Sequence, residues 1–326
     1  MKKNIAIIMG GFSSELEISL KSGQVVYKTL DRNKFNVYRI HILKEKWVFI
    51  NSQEEEFPVD RNDFSVKIND AKITFDCVFN AIHGSPGEDG LMPGYLELLN
   101  IPQTSCGMYQ AALTFNKRDC LSALKPYGIK SADSYFINKG DVINTEAIVE
   151  KVGLPCFVKA NRAGSSYGIT KVYKERDFEK ALETAFVEDE EVIIESFLNG
   201  TEVSAGVITY NNEIVVLPLT EIVSENDFFD YQAKYLGKSQ EITPARIPDE
   251  LAEKVKVIAK KIYQVLRLKG FSRSEFIFVN GEPFLLEVNT VPGLTAESIL
   301  PQQAKAAGIS MTNLFGSAIE EAMGSK

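Results

Sequence analysis

The segment Phe271–Asn289 constrains this chain more than any other. Asn280-Gly281 marks a turn between two apolar-rich runs, Phe271–Val279 and Glu282–Asn289, the signature of a β-hairpin. A three-residue loop, Val279-Asn280-Gly281, with Gly281 left-handed, sets residue 278 opposite 282. One face then collects Phe276, Phe278, Phe284, Leu286 and Val288, with Ser274 its one polar member. The other collects Arg273, Glu275, Ile277, Leu285, Glu287 and Asn289. A two-residue loop would shift the register by one and mix the two sets.

Two carboxylates, an amide and a guanidinium therefore share one face. Close carboxylates repel and need a cation between them. Oxygen donors without a neighbouring His or Cys favour hard Mg2+ over zinc, and Mg2+ usually also binds substrate phosphates. The same face could instead be a solvated exterior, salt-bridged by Arg273.

A second segment, Phe157-Val158-Lys159-Ala160-Asn161-Arg162-Ala163-Gly164-Ser165-Ser166-Tyr167-Gly168, delivers a lysine from a strand into a small Gly- and Ser-rich turn. Such a turn lets backbone N–H groups approach phosphate oxygens, while the lysine supplies a point charge. It is equally an everyday loop after a strand. His83-Gly84-Ser85-Pro86-Gly87-Glu88-Asp89-Gly90 also follows a strand; His83 and Glu88 lack the third partner of a catalytic triad. Ser14 and Glu17 fit a helix capping box, which could use the Glu17 carboxylate completely. Gly237-Lys238-Ser239 imitates the end of a P-loop, but Gln232 stands where its first glycine belongs. Gly10-Gly11-Phe12-Ser13-Ser14 does not complete a dinucleotide fingerprint.

With 326 residues the chain is long enough for two or three domains. Strands are expected at 4–9, 36–43, 73–81, 157–160, 192–195 and 202–210, with helices between, as in a mostly parallel α/β sheet. Helices are expected near 14–30, 248–267, 300–307 and 310–323. Residues 51–66 read as an irregular excursion, and 224–243, polar and aromatic, as a functional loop or lid. A net charge of −8 argues against nucleic-acid or anionic-membrane partners. No apolar run is long enough for a membrane span or forms a signal peptide. Four scattered cysteines, without a CxxC pair, suggest reduced structural thiols and a cytoplasmic protein. Two histidines exclude a multi-histidine zinc site.

Five ordered pieces resemble the D-alanine–D-alanine ligases of the ATP-grasp superfamily. They are Gly10-Gly11-x-Ser13-x-Glu15-x-Glu17-x-Ser19; His83-Gly-x-x-Gly87-Glu88-Asp89-Gly90; Lys159 with Gly164-Ser165-Ser166-x-Gly168; Asp230-Tyr231-x-Ala233-Lys234-Tyr235; and Glu287-x-Asn289-Thr290-x-Pro292-Gly293-x-Thr295-x-x-Ser298. The resemblance implies an α/β ATP-grasp fold of three α/β domains with a mostly parallel N-terminal sheet and ATP between the central and C-terminal domains. The implied boundaries are 1–102, 103–195 and 196–326. It implies ligation of two D-alanines to D-alanyl-D-alanine through an acylphosphate, for peptidoglycan precursor synthesis, by a cytoplasmic homodimer. It further implies two Mg2+ ions, with Mn2+ able to substitute. A D-lactate or D-Ser ligase of the same family is the alternative; a nicotinamide-dependent oxidoreductase or a non-catalytic ATP-binding relative is more distant.

Carried over by position, Lys117, Lys159, Ser166 and Lys234 would hold ATP phosphates. Glu195 would receive the adenine amino group beside the backbone of Ser196, Phe197 and Leu198, and Glu202 the ribose hydroxyls. Glu275, Glu287 and Asn289 would bind metal; Arg273 and the Gly293 N–H would steady a tetrahedral oxyanion. Glu17 would anchor the first substrate's ammonium within a Glu17–Ser165–Tyr235 set, beside His83. Ser298, with Ile299, would hold the second substrate's carboxylate. Tyr235 favours an amine acceptor. Glu275 in place of the more usual Asp, Ser274 for a small apolar residue, and Ala160-Asn161 depart from the family pattern without removing a functional group.

Overall fold

The computed structural model describes residues 2–224 and 239–324. Its first strand, β1 (Lys3–Gly10), is apolar and buried almost throughout because both sides of its sheet are covered. Ile5, Ile7 and Met9 pack with α1 (Leu16–Thr29) and the helix Met311–Gly324, whereas Ala6 and Ile8 face α2 (Leu91–Leu98). Strands β2 (Phe35–Ile42) and β7 (Cys77–Asn80) flank β1 in parallel. Beyond β2 the sheet continues antiparallel through β3 (Trp47–Ile50), β4 (Glu56–Asp60), β5 (Ser65–Ile68) and β6 (Ala71–Ile73). Parallel pairing is thus confined to three strands. The excursion expected at 51–66 holds β4 and the start of β5, disguised by the water-facing side chains that such a sheet permits, with irregular chain between them.

A four-stranded sheet follows, in the order β10 (Thr170–Val172), β9 (Cys156–Ala160), β11 (Glu191–Ser196), β8 (Ser134–Asn138). Helices α5 (Thr145–Val152) and α6 (Phe178–Ala185) cover one face, sealing Val158, Ile194 and Phe178 into one cluster. The third sheet runs β15 (Ser239–Ile242), β14 (Thr220–Ser224), β12 (Thr201–Tyr210), β16 (Phe271–Val279), β17 (Glu282–Asn289), with β13 (Glu213–Val216) pairing β12. Helix Asp249–Val265 buries Val255, Ala259 and Ile262 against Val203, Val207, Phe276 and Phe278 of this sheet. Full burial of one such apolar side chain contributes about 1.5–3 kcal/mol.

The hairpin closes differently from the sequence expectation. Its loop has two residues, Asn280 and Gly281, both left-handed (φ 51° and 76°), and Val279 faces Glu282. That register alone would mix the two faces. A β-bulge next to Glu275/Phe276 adds one residue to β17, after which Glu275 faces Glu287, Ser274 faces Val288 and Arg273 faces Asn289. The polar side chains thereby recover a common face. Near the turn the expected sets exchange members: Leu285 is buried in the core, and Phe284 and Leu286 are half-buried on the other side.

All four cysteines are unpaired and buried, and burial pushes Cys77, Cys106 and Cys120 up to about 12, so these thiols are inert. No helix among the described residues is long and apolar enough to cross a membrane.

Candidate active site

Two cavities open beside the bulged hairpin, one of about 200 Å³ and one of about 460 Å³, and Lys117 and Glu287 stand in the walls of both. The larger is built mainly on strands and carries every described residue expected to hold ATP: Lys117, Lys159, Ser166, Glu195, Ser196, Phe197, Leu198 and Glu202. Ile277 and Leu286, the residue released to this side by the bulge, add apolar wall.

Neighbouring strands place Lys159 (β9) and Glu195 (β11) in a salt bridge of 2.7 Å, largely shielded from water. Burial pulls the Lys159 pKa down, but the charge and hydrogen bond of Glu195 outweigh it and hold the ammonium above its ordinary value. The second Glu195 oxygen, Oε1, is buried without a partner, an acceptor left over beside the cavity.

Lys117 follows α3 (Met108–Phe115) and begins α4 (Lys117–Leu124), whose N-cap Asn116 accepts from Asp119 N at 3.0 Å. Buried Asn161, at the end of β9, donates to Asn116 and accepts from Arg118 N. The helix start is thereby fixed to the central sheet. Lys117 Nζ then donates to Ala163 O at 2.6 Å and lies 3.3 Å from Glu287. In the sequence Asn161 is only a departure from the family pattern; its clasp on the start of α4 exists only in the fold.

Glu275 and Glu287 stand directly opposite across β16 and β17, a repulsive placement unless each is compensated. Arg273 pairs with Glu275, and Lys117 with Glu287, to which Asn289 also donates at 3.2 Å. Among the described residues no group of three or more His, Cys, Asp or Glu side chains is gathered for a metal. The set here is two carboxylates and an amide, hard oxygen donors that fit Mg2+.

The smaller cavity is lined mainly by turns and helix ends, with His83, Ser165, Gly293, Ser298 and Ile299, and by Arg273 and Asn289 of the hairpin strands. One expected member is missing. Glu17 points to solvent in the first turn of α1, and the carboxylate in the cavity is Glu15. Buried Glu15 accepts from Ser165 Oγ at 2.6 Å. Gly164 permits this approach: a Cβ there would lie 2.7 Å from both Glu15 oxygens. The capping box also fails, since α1 starts at Leu16 and Ser14 bonds Glu188. Two residues along a helix start turn a side chain by about 200°, so Glu15 and Glu17 face opposite ways. Tyr235 and Lys234, like most of the expected lid, lie outside the described residues.

Ser298 is the N-cap residue of helix Ile299–Ala306, and its hydroxyl engages Thr295 rather than the helix's own N–H groups. Those N–H groups and the helix dipole favour an anion. A Cβ at Gly293 would meet Ser298 Oγ at 2.7 Å, so glycine keeps this corner open. Burial lowers the His83 pKa from its ordinary value, against the pull of the Glu15 charge and the Val291 hydrogen bond. Burial and the Glu15 charge push Glu88 up to about 8, against the pull of two backbone N–H bonds.

Three sheets, with paired carboxylates and lysines where two cavities meet, define an ATP-grasp enzyme. The family described as D-ala D-ala ligase C-terminus matches residues 123–320, and D-ala D-ala ligase N-terminus matches residues 4–106. A D-alanine--D-alanine ligase of Flavobacterium johnsoniae is 69% identical over 318 residues, 98% of each chain. One of Christiangramia forsetii is 61% identical over 326 residues, 100% of each chain. Among solved structures, the VanG D-Ala:D-Ser ligase of Enterococcus faecalis superposes with TM-score 0.86 at 33% identity, covering 99% of this chain and 100% of that one. The D-alanine--D-Alanine ligase of Bacillus anthracis complexed with ATP gives TM-score 0.80 at 30% identity, covering 100% and 98%. The chain belongs to the D-alanine–D-alanine ligase family.

Proposed function

We propose that the two cavities are the nucleotide and amino-acid halves of one ligase site, joined at Lys117 and Glu287. The enzyme is an ATP-dependent ligase that joins two D-alanines into D-alanyl-D-alanine, releasing ADP and phosphate, as a step of peptidoglycan precursor synthesis. The observation that carries the division of labour is that Lys117 and Glu287 line both cavities.

In this reading ATP lies along the strand-lined cavity, its adenine amino group donating to the spare oxygen of Glu195 and its ribose near Glu202. Lys117, Lys159 and the N–H groups of the Ser165-Ser166 turn neutralise and orient the phosphates. Glu275, Glu287 and Asn289 would hold Mg2+, which would supply positive charge to offset that of the phosphates. Glu15 binds the ammonium of the first D-alanine, beside Ser165 and His83. The carboxylate oxygen of that D-alanine attacks the γ-phosphorus, the bond to the β-phosphate oxygen breaks, and ADP leaves. The amine of the second D-alanine, its carboxylate held at Ser298 and the helix start by Ile299, attacks the resulting acylphosphate carbon. Arg273 and the Gly293 N–H steady the tetrahedral oxyanion; phosphate departs and the amine loses a proton.

The three sheets support a division near residues 102 and 195. The cytoplasmic setting and the homodimeric state are expectations carried by family membership.

Phosphate release from ATP should require D-alanine alone as amino-acid substrate. Release only when D-Ser or D-lactate accompanies it would transfer the enzyme to the specificity of its D-Ala:D-Ser neighbour.

A further inference from the structure

Three buried side chains from the N-terminal part of the chain grip the loop that carries Gly293. His83 Nδ1 donates to Val291 O at 2.8 Å, and Glu88 Oε1 accepts from Val291 N at 3.2 Å. Ser22 Oγ accepts from Leu294 N at 3.4 Å and lies 2.8 Å from His83 Nε2. The hydroxyl can give its proton to Nε2, which keeps the imidazole proton on Nδ1 for the Val291 carbonyl. The other Glu88 oxygen accepts from Gly84 N at 2.7 Å, tying the grip to its own loop. Ser22, His83 and Glu88 are all buried.

The contacts bracket Pro292-Gly293 on both sides. Strand pairing cannot do this, because β17 ends at Asn289. None of the three bonds to Gly293 itself, so their effect on it passes through the backbone. Oxyanion donors must lie about 3 Å from the developing charge. A displacement of about 1 Å costs on the order of 100-fold in rate.

We propose that Ser22, His83 and Glu88 are positioning residues that aim the Gly293 N–H at the oxygen of the reacting carbonyl. This rests on the oxyanion role given to Gly293 above. Their work is done in the second chemical step, not in holding ATP.

Two variants test it, Glu88→Gln, which sets an amide NH2 against one of the two backbone N–H groups, and Ser22→Ala, which removes a single oxygen. Each is checked for folding by circular dichroism and for ATP affinity by calorimetry. The expected result is a fall in kcat on the order of 100-fold for Glu88→Gln and severalfold for Ser22→Ala, with KM for ATP unchanged. The decisive probe is a phosphinate analogue of D-alanyl-D-alanine, tetrahedral at phosphorus, bound in the presence of ATP. Its affinity should fall in step with kcat, since it reports the oxyanion site. Unchanged phosphinate affinity in both folded variants overturns the proposal, whatever kcat does. If the wild-type enzyme binds the phosphinate no tighter than D-alanyl-D-alanine, the oxyanion role of Gly293 fails first and the positioning role falls with it.

Discussion

The two cavities are built in contrasting ways. The larger takes most of its polar groups from neighbouring strands, where pairing register sets Lys159 diagonal to Glu195 and Glu275 opposite Glu287. The smaller takes Glu15, Ser165, His83, Gly293 and Ser298 from turns and helix starts, where polar contacts hold Glu15 to Ser165, His83 to Val291 and Ser298 to Thr295. A strand delivers its side chains by period; a turn delivers them only where something outside the turn pins it. The strand-lined cavity should therefore tolerate loss of a supporting contact better than the loop-lined one.

The largest effect should come from the wall the cavities share. Glu287→Gln keeps shape and burial but halves the carboxylate pair facing the phosphates. Turnover should fall roughly 100- to 1,000-fold with the melting temperature nearly unchanged; wild-type turnover would remove Glu287 from the chemistry.

Next, the loop-lined cavity can be probed at two carboxylates two residues apart. Glu15→Gln should raise KM for the first D-alanine roughly ten- to a hundredfold, the loss of about 1.5–3 kcal/mol for a hydrogen bond to a charged group. Glu17→Gln should change the kinetics less than about twofold and stability by about 0.3–1 kcal/mol, through the helix dipole alone. Steady-state kinetics on the pair decide it, and a reversed order would restore Glu17 as the anchor.

Among residues that line a cavity, the smallest effect belongs to the strand-lined one. Lys159→Ala should weaken ATP binding about tenfold, roughly 1.4 kcal/mol, and also destabilise the fold by leaving Glu195 buried and unpaired. The double variant Lys159→Ala/Glu195→Ala should recover much of the stability but none of the ATP affinity. Unchanged ATP affinity in calorimetry would mean Lys159 only covers apolar surface.

The longest strands and helices can be read from the sequence. The strands near 4–9 and 202–210 and the helix near 248–267 are apolar in period, and the structure has them at Lys3–Gly10, Thr201–Tyr210 and Asp249–Val265. Strands β4 and β5 cannot, because their water-facing side chains are polar and read as loop. Among site residues, those on β9, β11, β12, β16 and β17 could be placed from sequence. Glu15 could not be separated from Glu17, since both belong to the same motif and only the start of α1 at Leu16 distinguishes them.

Residue types and their order along the chain determined which chemistry was available: hard oxygen donors, two lysines, a Gly- and Ser-rich turn. Periodicity further determined that Glu275, Glu287 and Asn289 could share a face. The tertiary structure alone decided how they do so, by a two-residue turn corrected by a bulge, and which acid enters the amino-acid cavity. The reason is that alternation along a strand is a local property written into every pair of residues. A bulge or the first turn of a helix is chosen by what packs against it, and those partners lie far away in the sequence.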